Sequence, residues 1–390
     1  EAMDLHELDA IFTEEEIWNA VKSLPSGKAP GPDGFTSEFL VACWDTIKHD
    51  FREAFDKLYS MNGRSFQRLN EALLTVLPKR ADARSLYDYR PISLIHIFAK
   101  LVAKLLSLRL APHLRSMVST NQSAFIRGRS IHDNFMLVQC TAKRLHALRD
   151  PAIMLKLDIS KAFDSVQWPF LLEVLRKAGF GERWIMWICG MLASASTRIM
   201  VNSTPGRPIY NTVGLRQGAP LSPMLFILVM EPLHRMFELA TAKGLLEPLA
   251  RTGLHHRLSM FADDVMIFLK PNEQDMNMCA SILTLFGEAS GLRVNLAKST
   301  VYPIRCSAET MEAVERTLGC PRGTFPCKYL GLPLTLRKQS HVQLSGLVDQ
   351  LAAALPKWKA VKMPKSGRML LVQSVLCAIP LHAMMALDLP

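Results

Sequence analysis

No two cysteines in this 390-residue sequence stand at a spacing that would build a zinc site: eight are scattered singly, and the closest pair, Cys320 and Cys327, has no histidine nearby. Such scatter excludes a disulfide-stapled scaffold and reads as reduced core thiols of an intracellular protein. A membrane-long apolar run is missing as well. The purest one, Leu221 to Met230, is too short to cross a bilayer, and Met369 to Leu387 is interrupted by Gln373, Ser374, Pro380 and His382, which points to one or two buried helices. There is no signal peptide at the start, no internal repeat and no low-complexity tract. A soluble protein without a membrane partner is expected. Acidic residues are also short, 35 Asp and Glu against 46 Lys and Arg, giving a net charge of +11. That excess suits a polyanionic partner, although solubility alone accounts for it equally well. With 49% hydrophobic residues the chain has material for two or three packed domains.

What is present is organised. TEEEIWNAVKSL near the start has a cap at Thr13 and apolar residues Ile17, Val21 and Leu24 at helical spacing. The following loop, Ser26 to Phe35, lacks the preceding strand and the GK[ST] ending of a phosphate cradle and reads as a plain connection. EALLTVLPK is strand-like, RADARSLYDYRPISL is a basic loop with a short strand, and IHIFAKLVAKLLSLRLAPHL is a helix burying Ile97, Leu101, Leu105 and Leu108, with Lys100 and Lys104 on a more exposed face. NQSAFIRGRSIHDNF, Asn121 to Phe135, is a basic loop that leads into a helix through about Leu148. Basic loops beside aromatics suit a nucleic-acid backbone.

Carboxylates in apolar surroundings carry the chemistry. AIMLKLD alternates so that Ile153, Leu155 and Leu157 share one face and Met154, Lys156 and Asp158 the other, placing Asp158 at the end of a strand. Far downstream, LSMF-A-DD-VMIFL gives two apolar runs around a tight hairpin with Asp263 and Asp264 at its tip. Two unit charges about 4 Å apart repel by roughly 4 kcal/mol at an effective dielectric of about 20, so the pair needs a cation. Three such carboxylates at neighbouring strand ends form a hard-oxygen site suited to two Mg²⁺ ions about 4 Å apart, the arrangement that serves phosphoryl transfer. GLRQGAPLSPMLFILVMEPLHRMF adds a glycine-flanked loop, Ser222 as a helix cap, Pro223 at the first helical position and a helix apolar on nearly every side.

LDISKAFD, RQGAPLSP, FADD, SGLRVNLAKS and KYLGLPL, in this order, resemble the reverse transcriptase motifs of LINE-type non-LTR retrotransposons, most closely those of plants. DYRPISLIHIFAKLVAKLLSLRL and NQSAFIRGRSIHDNF are similar to that family's fingers, KAPGPDGF to its N-terminal extension, and WKAVKMPKSGRMLLVQSVLCAIP to the start of its thumb. The resemblance implies an α+β right-hand polymerase fold: an extension over residues 1–70, fingers over 71–150, an antiparallel-sheet palm over 151–334 and a partial helical thumb over 335–390. It implies two Mg²⁺ ions, or Mn²⁺ in their place, on Asp158, Asp263 and Asp264 with the backbone carbonyl of Ile159. Phe163 would exclude a ribose 2′-hydroxyl, Gln217 and Gly218 would line the nucleotide pocket, Arg90 and Lys79 would hold the triphosphate, and Lys298 would protonate the leaving pyrophosphate. Arg127 and Arg129 would track the template or primer backbone, and Asp164 would cap or orient rather than bind metal. The implied partners are an RNA template, a DNA primer and dNTPs, in the nucleus or cytoplasm.

One departure stands out: the family often has an acid in QGDPLSP, where this chain has Ala219. Such elements also carry an endonuclease domain before this region and a further region after it, and neither lies within the sequence. Two alternatives therefore remain at this level, a nucleic-acid-binding remnant of a decayed element without turnover, and a reverse transcriptase like those of group II intron maturases, which shares the palm motifs but not the NQSAF and SGRMLLVQSVL stretches.

Overall fold

The computed structural model describes residues 5–60, 66–250, 253–254, 256–337, 341–354 and 363–387. Ten strands follow in chain order: β1 (Glu71–Pro78), β2 (Tyr89–Ile95), β3 (Ala152–Leu157), β4 (Ser196–Val201), β5 (Thr204–Tyr210), β6 (Leu258–Phe261), β7 (Asp264–Leu269), β8 (Thr300–Ile304), β9 (Cys327–Tyr329) and β10 (Leu332–Leu334). They make one sheet in the order β2-β1-β4-β5, a second in the order β6-β7-β3-β8, and the hairpin of β9 with β10. The second sheet is antiparallel throughout, and the first is antiparallel except where β1 lies parallel to β4. With helices packed around these sheets, the class is α+β, as expected. β1, within the expected 71–150 segment, pairs with β4, within the expected 151–334 segment.

Local signals account for most helix ends. Thr13 and Glu16 form a capping box on the helix Glu14–Lys22, Ser130 and Asp133 another on Ile131–Leu148, and Asn272 and Ser307 cap the helices Glu273–Ser290 and Ala308–Leu318. The last two end on Gly291 and Gly319 at positive φ. The Ser26 to Phe35 loop is more than a connection: Asp33 accepts hydrogen bonds from the Ile97 backbone N–H at 2.7 Å and from His96, fixing the start of the helix Ile97–Leu110.

The second sheet is buried on both faces. Ile153, Leu155 and Leu157 belong to the main core, while Ala152 and Met154 belong to a second cluster with Met266, Phe268 and Tyr329 under the β9-β10 hairpin. Lys156 escapes by donating to the Lys328 carbonyl at 3.1 Å.

Several expectations need correction. Leu108 is exposed, because the buried stripe of its helix runs through Leu101, Val102, Leu105 and Leu106 instead. Ser222 is the first helical residue of Ser222–Ala242, with Leu221 at the cap and no side-chain capping bond; the helix is buried nearly all round, as expected. Only Cys279, Cys320 and Cys327 are core thiols; Cys140, Cys189 and Cys377 are exposed. The stretch from Met369 is not buried. Lys365–Met384 is a nearly continuous helical run with Met369, Leu370, Leu381 and Met384 exposed, long and apolar enough to cross a membrane by length and composition. Among the described residues its core contact is confined to the C-terminal end, where Ala383 and Ala386 join the cluster under the β9-β10 hairpin and His382 meets His132 and the Leu330 carbonyl. Residues 355–362 of the thumb-like segment lie outside the described residues.

Candidate active site

β3 ends at Leu157, which faces Val265 of β7 in an antiparallel ladder, so one step further the register sets Asp158 opposite Asp264. Opposed residues share a face and have Cα atoms about 5 Å apart. The turn between β6 and β7 is Ala262–Asp263, closed by Phe261 pairing with Asp264. This corrects the expected Asp263–Asp264 tip by one residue. Ala262 supplies the left-handed φ of 54° that the turn needs, which leaves Asp264 on the strand opposite Asp158 and Asp263 in the adjoining turn. Desolvation first, then the charge of Asp263, and also that of Asp158, push the Asp264 carboxyl above its ordinary value against an opposing pull from Lys156. Among the described residues no three His, Cys, Asp or Glu side chains converge into a preformed metal cage.

Asp158 is held through its backbone. Its N–H donates to Ser299 Oγ at 3.1 Å and its carbonyl accepts from the Asn295 N–H at 2.7 Å. Ile159 bridges to Val294, and the Ser160 N–H donates to the Arg293 carbonyl. The segment Leu292 to Ser299 is thereby laced to the strand end, and the exposed Lys298 lies in a turn of that segment closed onto Asn295.

The loop before the buried helix closes the other side. Gly214 lies at φ +83, and a Cβ there would meet the Asp164 carbonyl at 2.6 Å, so only glycine permits this approach. The Gly214 and Leu215 N–H groups donate to the Val166 and Phe163 carbonyls at 2.8 and 2.7 Å. This zipper brings Gln217 Nε2 to within 3.3 Å of Asp164 Oδ1, where it donates a hydrogen bond. Partial desolvation raises the Asp164 carboxyl despite that hydrogen bond. Phe163 is half-buried, its ring stacked on Phe226 at 4.4 Å and packed on the main core. Gly218, at φ +98, passes close to the Ser93 carbonyl. Beside it a cavity of about 310 Å³ is lined by Pro91, Ser93, Asp164, Thr197, Arg216 and Gln217 among others.

The cations divide. Arg90, exposed on β2 opposite Leu77, is not in that cavity: Pro91 and Ser93 line it, and strand alternation turns Arg90 to the other face. Lys79 is exposed just beyond β1, its N–H donating to the Asp88 carbonyl. Arg127 is exposed. Arg129 does not track a backbone outside the protein. Its guanidinium donates to the carbonyls of Ser119, Gln122, Arg115 and Val118 at 2.5 to 2.9 Å, using its fork inside the fold.

Sequence reasoning missed Arg216. Its guanidinium bonds Asn70 Oδ1 and the carbonyls of Asn70 and Ser196, tying the loop to the first sheet, and burial pulls its pKa down to about 10. An internal cavity of about 60 Å³ is lined by both Arg216 and Ala219, the position where an acid was expected. It missed Gln122 too, which is fully buried and bonded to the acidic turn. The only signal for either was a polar residue inside a motif.

The profile of the family described as reverse transcriptase (RNA-dependent DNA polymerase) matches residues 77–334. A transposon TX1 uncharacterized 149 kDa protein from Xenopus laevis is 30% identical over 95% of this chain and 28% of its own length. A Pol polyprotein of the R2 retrotransposable element from Nasonia vitripennis is 28% identical over 63% of the chain and 23% of its own length, and that of Drosophila melanogaster 26% identical over 85% and 31%. The chain thus spans less than a third of these relatives' length. They come from a frog and from insects, and the expected plant affinity finds no support among them. A telomerase from Candida albicans, solved with a telomeric RNA fragment, aligns with 75% of this chain and 50% of its own at TM-score 0.46 and 14% identity.

Proposed function

We propose, from the premise that this chain belongs to the reverse transcriptase (RNA-dependent DNA polymerase) family, that it is the polymerase domain of a non-LTR retrotransposon and extends a DNA primer on an RNA template using dNTPs. The observation that carries the reading is the register that sets Asp158 opposite Asp264 with Asp263 in the adjoining turn. The donor set, carboxylate and carbonyl oxygens at neighbouring strand ends, fits hard divalent cations, and the Asp264 carboxyl is raised by burial first and by the charges of Asp263 and Asp158 besides. Asp158, Asp263 and Asp264, with the Ile159 carbonyl, would hold two Mg²⁺ ions, Mn²⁺ serving as a substitute. When bound, these supply a more acidic primer 3′-hydroxyl and neutralise charge that develops on the phosphates.

The chain's own residues do the rest. Asp158 keeps its place through Ser299 and Asn295, and Lys298 on the same lace donates a proton to the leaving pyrophosphate. Phe163, braced by Phe226, presents a fixed ring under the incoming sugar and excludes a 2′-hydroxyl. Gln217, steered by Asp164, and Gly218 seat the nucleotide against the template base. Lys79, just beyond β1, grips the triphosphate, a role that Arg90 does not share because β2 turns it to the other face, and Arg127 meets nucleic-acid phosphates. In this reading residues 71–150 act as fingers, 151–334 as palm and 335–390 as the start of a thumb, with 1–70 as an extension and an intracellular setting, nuclear or cytoplasmic.

Extension of a DNA primer on an RNA template with dNTPs and Mg²⁺, compared between this chain and Asp263→Asn, tests the proposal. Extension by the chain and its loss in the variant are expected. Template binding without extension by either would assign the chain as a remnant.

A further inference from the structure

The Asn121–Ser123 stretch, which reads as basic loop in the sequence, is a bracket on the acidic hairpin. Gln122 bridges in parallel to Met260, the Met260 N–H donates to the Asn121 carbonyl at 2.9 Å, and the Ser123 N–H donates to the Met260 carbonyl at 3.3 Å. The chain thus adds a short extra rung to the free edge of β6. Gln122 is fully buried, and its Oε1 accepts two backbone donors: the Ala124 N–H at 3.0 Å and, 140 residues away in sequence, the Ala262 N–H at 3.1 Å.

Ala262 is the residue of the turn that holds a left-handed φ of 54°, a conformation an L side chain adopts only when its surroundings impose it. The Gln122 carbonyl is the only side-chain acceptor on that N–H among the described residues. The amide nitrogen of Gln122 has no acceptor among the described residues. A buried amide that leaves its own NH₂ unpartnered while satisfying two backbone donors is a poor choice for packing and a good one for fixing a turn. The bracket is itself anchored: Arg129 clamps the carbonyls of Ser119 and Gln122, and Asn134 Nδ2 donates to the Asn121 and Met260 carbonyls and to Ser259 Oγ.

We infer that Gln122 is a positioning residue for the acidic cluster: its carbonyl holds Ala262 in the left-handed conformation and so fixes Asp263 beside Asp264 and Asp158. The inference rests on the proposed polymerase site for its consequence, though not for its geometry. The side chain is far too enclosed to meet substrate, so it acts through the turn.

Gln122→Met keeps the volume and removes the acceptor. Asn134→Leu is the companion variant: it removes the amide that bonds Asn121, Ser259 and Met260 and takes no hydrogen bond from the turn. Hydrogen exchange of the Ala262 amide is expected to quicken about fivefold to tenfold in Gln122→Met, the loss of about one buried hydrogen bond, and to change far less in Asn134→Leu. Binding of Mn²⁺, followed by electron paramagnetic resonance without substrates, is expected to weaken about tenfold in Gln122→Met alone. In primer extension the half-saturating Mg²⁺ concentration is expected to rise in Gln122→Met and to stay put in Asn134→Leu, even where both lower the thermal midpoint. Equal Ala262 exchange in Gln122→Met and the parent overturns the inference, as does a Mn²⁺ affinity that falls equally in the two variants. A parent chain that never extends a primer refutes the polymerase reading alone, because amide exchange and Mn²⁺ binding still decide the role of Gln122.

Discussion

Asp264→Asn separates the cost of the acidic cluster from its use. The register places Asp158 opposite Asp264, and at about 5 Å and an effective dielectric of about 20 two unit charges repel by roughly 3 kcal/mol. Asp263 and Asp264 are exposed, so solvent and salt screen most of this, and the variant is expected to be more stable than the parent by about 1 kcal/mol in EDTA at low salt. For a chain of this size that is a rise of about 2 °C in Tm by scanning calorimetry, shrinking as salt is added. The pH dependence has a definite sign. Because the Asp264 carboxyl is raised in the fold, the folded chain binds that proton more tightly than the unfolded chain, and protonation relieves the repulsion. The advantage of the variant is therefore full above the raised value and closes as pH falls through it. Mg²⁺ reverses the order: an ion that binds only the folded parent stabilises it by about 2.7 kcal/mol at a hundred times its Kd, while the variant gains much less and loses primer extension. A variant no more stable than the parent in EDTA, or one equally stabilised by Mg²⁺, would refute the reasoning that these carboxylates form one cation site.

Three other substitutions probe the surrounding frame. Arg129→Met leaves four backbone carbonyls without their shared donor and is expected to cost about 3 kcal/mol in urea unfolding, with primer–template affinity of the folded fraction unchanged; a selective loss of affinity would restore Arg129 to the nucleic-acid surface. Gly214→Ala sets a Cβ 2.6 Å from the Asp164 carbonyl at a φ of +83, so the loop must move, and more than 2 kcal/mol of stability should be lost along with the Gln217–Asp164 contact. Phe163→Val removes the ring braced by Phe226 and is expected to raise ribonucleotide incorporation relative to dNTPs by at least tenfold; unchanged discrimination in competition assays would reduce Phe163 to a core aromatic.

Local patterns made much of this protein legible. Period-two alternation in AIMLKLD and around FADD, together with capping residues, placed the strand end that carries Asp158, the hairpin that carries Asp263 and Asp264, and the starts of several helices, because each depends only on neighbours within one turn or one strand. The motif order pointed to the family. What only the tertiary structure decided involves partners far apart in the chain. The turn shifted by one residue because Ala262 takes its conformation against Gln122, 140 positions earlier, and no local rule weighs that bond. Arg129 became a strut because carbonyls of its own preceding loop curl around it, a curvature no composition encodes. Most of the apolar Met369 region stayed exposed while Ala383 and Ala386 found the hairpin cluster, because burial needs a partner surface and hydrophobicity alone supplies only half of a contact.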